Sequence, residues 1–413
     1  MKALLKMLSA DPVHRATCIR LGGVKLPRNC ETVHLLLAGA TGTGKTTLIT
    51  EILSTIIPRG DRVIVCDPNG YHLSRFAAQD DVVLNPFDAR SPGWSLFNEV
   101  RRDFDYDRLA RSNVPDGNGP DHQWHFYAQT LASETMRALM LRGEGDTERL
   151  MHWVTVAKKE DYASLLAGTP AQGLFDSDAA KAMASTRFIL TAHLNAHKHL
   201  RPGAFSIRAW LEEGLGNLFV TWMEDMQAAL SPLITTWVDI VANAILSLPA
   251  SSERRIWLIL DELGALGKLC SLEGALTRGR KHGLCVVAGL QSTAQLDRVY
   301  GRDGAVVLRS CFRNLVVLSI AKSDPDTAEM LSRALGDSEV ERPQHSTNKG
   351  AGGITKGVTA LRTTERIVLP SEISQLPPLR GFAALAGEPV TRRLTVSPRD
   401  LPVVAPHFVE RPC

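Results

Sequence analysis

Eight consecutive residues, Gly39-Ala40-Thr41-Gly42-Thr43-Gly44-Lys45-Thr46, carry the clearest chemistry in the chain. They form a complete Walker A pattern. Its glycines let backbone N–H groups curl around a β-phosphate without Cβ clashes. A helix opening at Lys45 adds the partial positive charge of its N-terminus. Lys45 is expected to bridge the β- and γ-phosphates and the Thr46 hydroxyl to ligate Mg²⁺. The nucleotide-binding set therefore runs from Gly39 through Thr47, and ATP and Mg²⁺ are the expected cofactors. A phosphate-bound metal also needs a carboxylate. The run Trp257-Leu258-Ile259-Leu260-Asp261-Glu262 offers two, at the end of a buried strand. In this Walker B arrangement Asp261 would hold Mg²⁺ through water, and Glu262 would polarise the attacking water. Glu directly after Asp favours ATP hydrolysis of the RecA-like kind over kinase or GTPase chemistry.

Further along lies Thr277-Arg278-Gly279-Arg280-Lys281-His282-Gly283, followed by an apolar strand that ends at Gln291. A basic run at a helix end suits the helix dipole and can be simply solvated. Its place between Walker B and the next strand also suits an arginine offered to a neighbour's nucleotide, which makes Arg280 a candidate. Gln291, at the end of a strand beside Walker B, is positioned to face the γ-phosphate, with an ordinary turn as the alternative. Asp67-Pro68-Asn69-Gly70 reads as a plain turn at the ligand-binding edge of a sheet. Trp124 stands with His125, Phe126 and Tyr127. Such rings can stack on bases, making Trp124 a DNA-binding candidate, although a helical core explains them better.

These residues need a frame. The pattern predicts a strand at His34–Ala38, a helix from Lys45 to about Ile57, and strands at Arg62–Asp67 and Asp81–Leu84. Short apolar runs bounded by turn residues are strands buried on both faces of a parallel sheet. Helical periodicity then dominates from about Pro92 to Pro202. Strands resume at Asn217–Trp222, Arg255–Leu260, Leu284–Leu290 and Leu315–Ile320, with a short closing segment near Phe382–Ala386. The polar, Gly-rich stretch Glu341–Arg366 is expected to be a mobile loop. The fold expected is α/β: a RecA-like P-loop domain with a mostly parallel sheet (31–92 and 203–413), an inserted all-α domain (93–202) and a basic N-terminal arm (1–30).

Composition narrows the function classes. With 413 residues, 44% apolar and 22% charged, the chain is globular, and its length suits two to three domains. A net charge of +3 excludes a uniformly basic nucleic-acid coat but leaves room for a local basic surface. The first 30 residues hold six Lys or Arg against one Asp, which suits a solvated arm or contact with an anionic surface. The seven cysteines have no zinc or disulfide spacing and read as free thiols of a reducing compartment. The most apolar long stretch, Leu230–Leu248, contains Asp239 and Asn243, and its apolar residues Leu233, Trp237, Ile240, Val241, Ala244, Ile245 and Leu248 recur at helical spacing, so it reads as an amphipathic core helix, not a membrane span.

Several blocks together resemble one family. They are GATGTGKT at Gly39–Thr46, DPNG at Asp67–Gly70, LNPFD at Leu84–Asp88 and GWSLFNE at Gly93–Glu99. NLFVTW at Asn217–Trp222, ILSLP at Ile245–Pro249, LDEL at Leu260–Leu263 and TRGRKHGLCVVAGLQSTAQLDRVYG at Thr277–Gly301 complete the set. The chain resembles the coupling ATPases of conjugative type IV secretion, the TraD/TrwB type, with TrwB the nearer of the two. The resemblance implies a homo-hexameric, DNA-stimulated ATPase at the cytoplasmic face of the bacterial inner membrane. Such a ring recruits a relaxase–DNA complex, the relaxosome, and pumps single-stranded DNA into the secretion channel. The implied partners are thus single- and double-stranded DNA, the relaxase and the channel proteins. The resemblance also assigns Arg280 a role in trans and Gln291 a sensor role. Family members begin with transmembrane helices; this chain begins close to its P-loop, so it is expected to be soluble by itself and its anchor to be absent. A nucleotide-gated receptor for secreted proteins and a chromosomal DNA pump of the FtsK/HerA type are the competing readings. The helical insert and the LNPFD and GWSLFNE blocks argue against the pump.

Overall fold

The computed structural model describes residues 17–117, 121–350 and 353–412, with the side chains of 346–357 outside that description. Its centre is a nine-stranded sheet of order β13-β12-β9-β3-β8-β7-β4-β6-β5. The parallel part comprises β3 (Leu35–Ala38), β4 (Arg62–Pro68), β5 (Val82–Leu84), β6 (Leu218–Trp222), β7 (Ile256–Leu260), β8 (Leu284–Leu290) and β9 (Asn314–Val317). β12 (Arg380–Ala384) and β13 (Arg392–Thr395) extend one edge in antiparallel fashion. The continuous apolar runs have the expected cause. Along β3, Leu36 joins one core while Leu35 and Leu37 join the other; along β7, Leu258 and Ile259 divide in the same way. Both faces of each strand are covered.

Helix α1 (Lys45–Ile56) covers one face with Leu48, Ile49, Ile52, Leu53 and Ile56, all fully buried. This is the apolar stripe of an amphipathic helix. The other face carries the helices of the insert. After α2 (Leu73–Phe76) come α3 (Phe104–Asn113), α4 (His122–Leu141), α5 (Thr147–Thr155), α6 (Lys159–Leu165) and α7 (Ala180–Leu194). Their apolar side chains are continuous with those of β4, β6, β7 and β8 in a single core. After α8 (Ile207–Glu213), helix α9 (Gln227–Ser247) runs through that core. Residues 224–247 are long and apolar enough to cross a membrane, yet 72% of this helix's most apolar window is buried inside the protein. It is a core helix, as its periodicity indicates.

Two expectations need correction. Of the basic arm 1–30, residues 1–16 lie outside the described residues. The rest is no arm: β1 (Ile19–Leu21) and β2 (Val24–Leu26) pair as a hairpin, and Ile19, Leu21 and Leu26 insert into the core beside α1. Within the two strands the exposed positions are Arg20 and Lys25, so short alternation hides a strand inside a basic segment. The expected loop Glu341–Arg366 is a two-stranded ribbon, β10 (Asp337–Gly350) against β11 (Gly353–Arg366), fourteen residue pairs in register. At about 3.4 Å per residue it reaches about 45 Å. Thr and Val residues favour extension, and cross-strand ion pairs Arg366–Asp337 (2.6 Å), Arg362–Glu341 (2.7 Å) and Arg342–Glu365 (2.9 Å) lace its base. Low apolar content concealed it, because the ribbon needs no core. Six cysteines fall among the described residues, and all are free.

Candidate nucleotide site

The loop after β3 is held by both neighbouring strands. Gly39 N–H donates to the Leu290 carbonyl at the end of β8 (2.9 Å), and Ala40 N–H donates to Ser319 beyond β9 (2.8 Å). Gly44 takes φ +114°, open to glycine at little cost, and a Cβ there would stand 2.8 Å from Leu379 Cδ2. Leu379 itself has φ +65° and donates its N–H to the Thr43 carbonyl (2.9 Å). It braces the loop from the far side. No sequence signal pointed to Leu379, since a left-handed leucine is rare and unmarked.

Lys45 is buried, and its Nζ donates to the Gly39 (2.6 Å) and Ala40 (3.1 Å) carbonyls. Burial lowers its pKa, and the charges of Asp261 and Glu262 push it back up. Thr46 Oγ1 donates to Asp261 Oδ2 at 3.1 Å, so the two expected metal ligands converge. Burial raises the Asp261 carboxyl, against the Thr46 hydrogen bond and the Lys45 charge. Among the described residues no three His, Cys, Asp or Glu form a metal cluster. The site therefore fits an ion held by one hydroxyl and one carboxylate, with phosphate oxygens and water completing the shell, which is the Mg²⁺ habit. Walker B is also held rigidly from the side: a Cβ on Gly289 of β8 would overlap the Asp261 carbonyl oxygen.

Gln291 closes β8 at the same edge, and Thr41 Oγ1 donates to its Oε1 at 3.3 Å. Thr41, Lys45, Thr46, Asp261, Glu262 and Gln291 are thus brought to one edge of the sheet. Arg280 is not. It sits in the short turn Gly279–His282 before β8, at the opposite end of that strand. Seven strand residues separate the two ends by about 23 Å. There Arg280 lines a cleft of about 810 Å³ with Arg255, Arg278, Lys281, Ser251 and Ser252. It cannot serve the P-loop of its own chain. Trp124 lies in the first turn of α4, half-buried, its ring edge-on to Tyr127 at 5.9 Å, while Phe126 is 55% exposed.

One acid gains importance over its sequence reading. Asp67 is the penultimate residue of β4, beside Walker B, with Cys66 pairing with Leu260. It is fully buried, and it accepts the N–H groups of His72 (3.1 Å) and Leu73 (2.7 Å). Burial pushes its pKa up to about 7, the two N–H groups oppose this, and the Asp261 charge adds to it. The DPNG turn is also a junction: Asn69 Oδ1 accepts the Glu224 N–H (3.1 Å), and the His407 carbonyl sits where a Cβ on Gly70 would be.

Residues 18–396 match the family described as the type IV secretion-system coupling protein DNA-binding domain. Coupling protein TraD of Escherichia coli (strain K12) is 29% identical over 431 residues, covering 99% of this chain. The chain spans 58% of the length of TraD. Among solved structures, the conjugative coupling protein TrwBdeltaN70 in its unbound monoclinic form is 45% identical. It superimposes with a TM-score of 0.91 over 98% of this chain and 94% of its own. The plasmid coupling protein TrwB in complex with ADP and Mg²⁺ is 44% identical, with a TM-score of 0.89 over 99% and 95%.

Proposed function

The chain belongs to the type IV secretion-system coupling proteins, and from that premise we propose that it is a DNA-stimulated ATPase that moves single-stranded DNA in conjugation. The observation that carries this reading is the convergence of Lys45, Thr46, Asp261 and Gln291 at one sheet edge. TrwB, alike along nearly all its length, holds ADP and Mg²⁺ in one of its structures.

In this reading Lys45 exchanges its two loop carbonyls for β- and γ-phosphate oxygens. Thr46 and Asp261 would hold Mg²⁺, which neutralises charge on the phosphates. Glu262 takes a proton from the attacking water. Gln291, linked to Thr41, carries the state of the γ-phosphate into β8. Arg280, out of reach of its own nucleotide, serves the site of an adjacent copy in a homo-hexamer. Residues 31–92 and 203–413 act as the nucleotide-binding domain, with the hairpin 19–26 as part of its core. The helical insert 93–202 bears Trp124 toward DNA. The ring works at the cytoplasmic face of the inner membrane, joining a relaxosome to the secretion channel.

The test is ATP turnover with and without single-stranded DNA and a relaxase, alongside mass in solution. Stimulation by DNA, with binding that weakens steeply with salt and ignores base sequence, is the expected result. Turnover that answers to the relaxase and not to DNA would instead favour a nucleotide-gated receptor for secreted proteins.

A further inference from the structure

Asp239 sits in the middle of α9, buried, and its carboxyl accepts four hydrogen bonds. Oδ1 accepts the Ser271 N–H (2.6 Å). Oδ2 accepts the Ser112 hydroxyl (2.5 Å), the Ser271 hydroxyl (2.9 Å) and the Asn243 amide (3.2 Å). Ser112 lies in the last turn of α3, in the helical insert. Ser271 immediately precedes α10 (Leu272–Arg278), which leads from the Walker B segment to Arg280. A single carboxylate therefore ties together the insert, the core helix and the segment that joins the hydrolytic acids to the candidate trans arginine. Burial raises the pKa of this carboxyl, and the Ser112 and Ser271 hydrogen bonds oppose the rise; losing one of these donors would leave a buried acceptor short of a partner.

Further polar contacts cross this seam. Thr236 Oγ1 donates to the Ser112 carbonyl (3.3 Å), and Lys268 Nζ donates to the Asp116 carbonyl (3.5 Å). Thr235 Oγ1 accepts the Gly267 N–H (3.0 Å). Beside these contacts the seam opens into a cavity of about 490 Å³, lined by Pro115, His125, His193, Thr235 and Lys268 among others. Apolar side chains of α3, α9 and α10, among them Leu109, Trp237 and Leu272, share one core at this joint, and the directional bonds fix the register in which they meet. Elements packed this way move between discrete arrangements and do not deform continuously.

We propose that Asp239 is a positioning residue that couples the helical insert to the Walker B–Arg280 segment, so that DNA engaged by the insert alters turnover through the Ser112–Asp239–Ser271 link. The inference rests on the DNA-stimulated ATPase reading.

The test uses the full chain with Asp239→Asn, Ser112→Ala and Ser112→Thr. ATP affinity, DNA affinity, and turnover with and without single-stranded DNA are measured for each. Asp239→Asn and Ser112→Ala should keep both affinities, yet their ratio of stimulated to basal turnover should fall by at least about fivefold, the scale of ordinary coupling between sites. Ser112→Thr retains the hydroxyl and should restore the ratio. If Asp239→Asn fails to fold, the two Ser112 variants decide. A wild-type ratio in Ser112→Ala would overturn the proposal, as would equal loss in Ser112→Ala and Ser112→Thr, which would point to shape and not to the hydrogen bond. Absence of DNA stimulation in the unaltered chain would remove the functional reading itself, and the inference with it.

Discussion

Thr46 and Asp261, 215 positions apart, hold each other by a direct hydrogen bond of 3.1 Å. Each therefore stands where it would help hold a metal, and this bond would have to open for the ion to enter. Asp261→Asn keeps an acceptor for Thr46 but loses the charge that attracts the ion. The Mg²⁺ concentration giving half-maximal turnover should rise at least about tenfold. Superimposable Mg²⁺ titrations for variant and wild type would remove Asp261 from the metal role.

Lys45 and Glu262 should separate binding from chemistry. Lys45→Ala strips the buried cation that faces the phosphates and should abolish binding of a fluorescent ATP analogue. Glu262→Gln should bind that analogue normally and release less than about one hundredth of the phosphate, the usual contribution of a general base. Near-wild-type phosphate release by either variant contradicts the assignment.

Arg280 offers a test that only an assembly can pass. Arg280→Ala should keep ATP affinity and lose turnover, by about 10³-fold if it behaves as other trans arginines do. Mixing Arg280→Ala with Lys45→Ala copies should regain activity, because some interfaces then pair an intact Lys45 with an intact Arg280. If mixed rings form and remain silent, Arg280 is only a solvated turn residue.

Asp67 should leave a signature in the pH dependence of stability. Its pKa rises from the ordinary 3.8 to about 7 on folding, chiefly through burial. The folded state thus holds the proton more tightly, and the stability this contributes is complete below about pH 4 and is lost as pH rises through about 7. Asp67→Asn cannot ionise. Its stability relative to wild type, from urea midpoints, should therefore improve between pH 5 and pH 8. A constant difference across that range would show that Asp67 does not titrate there.

Much of this site was legible in the chain because its parts are local in sequence. A P-loop is eight adjacent residues, and Walker B is an apolar run ending in two acids. The strands that carry them are continuous apolar runs because both faces are covered. What escaped was either non-local or free of a core. Leu379 reaches the P-loop through a backbone N–H and a left-handed turn that no residue type announces. Asp67 looks like any turn aspartate until the register sets it beside Walker B. The hairpin at 19–26 hides behind its outward-facing Arg20 and Lys25. Among the described side chains of the ribbon 337–366, Val358 and Leu361 are exposed, so hydropathy had little to report there.

Strand β8 has the P-loop's glutamine at one end and the cleft arginine at the other. In the proposed ring, β8 would be one stiff rod with a sensing tip and an acting tip, each serving a different active site. Coupling along such a rod is reciprocal, so two adjacent sites would be tied in both directions. Each copy would be tied to the same neighbour at every turnover, because Arg280 and Gln291 flank opposite ends of one strand.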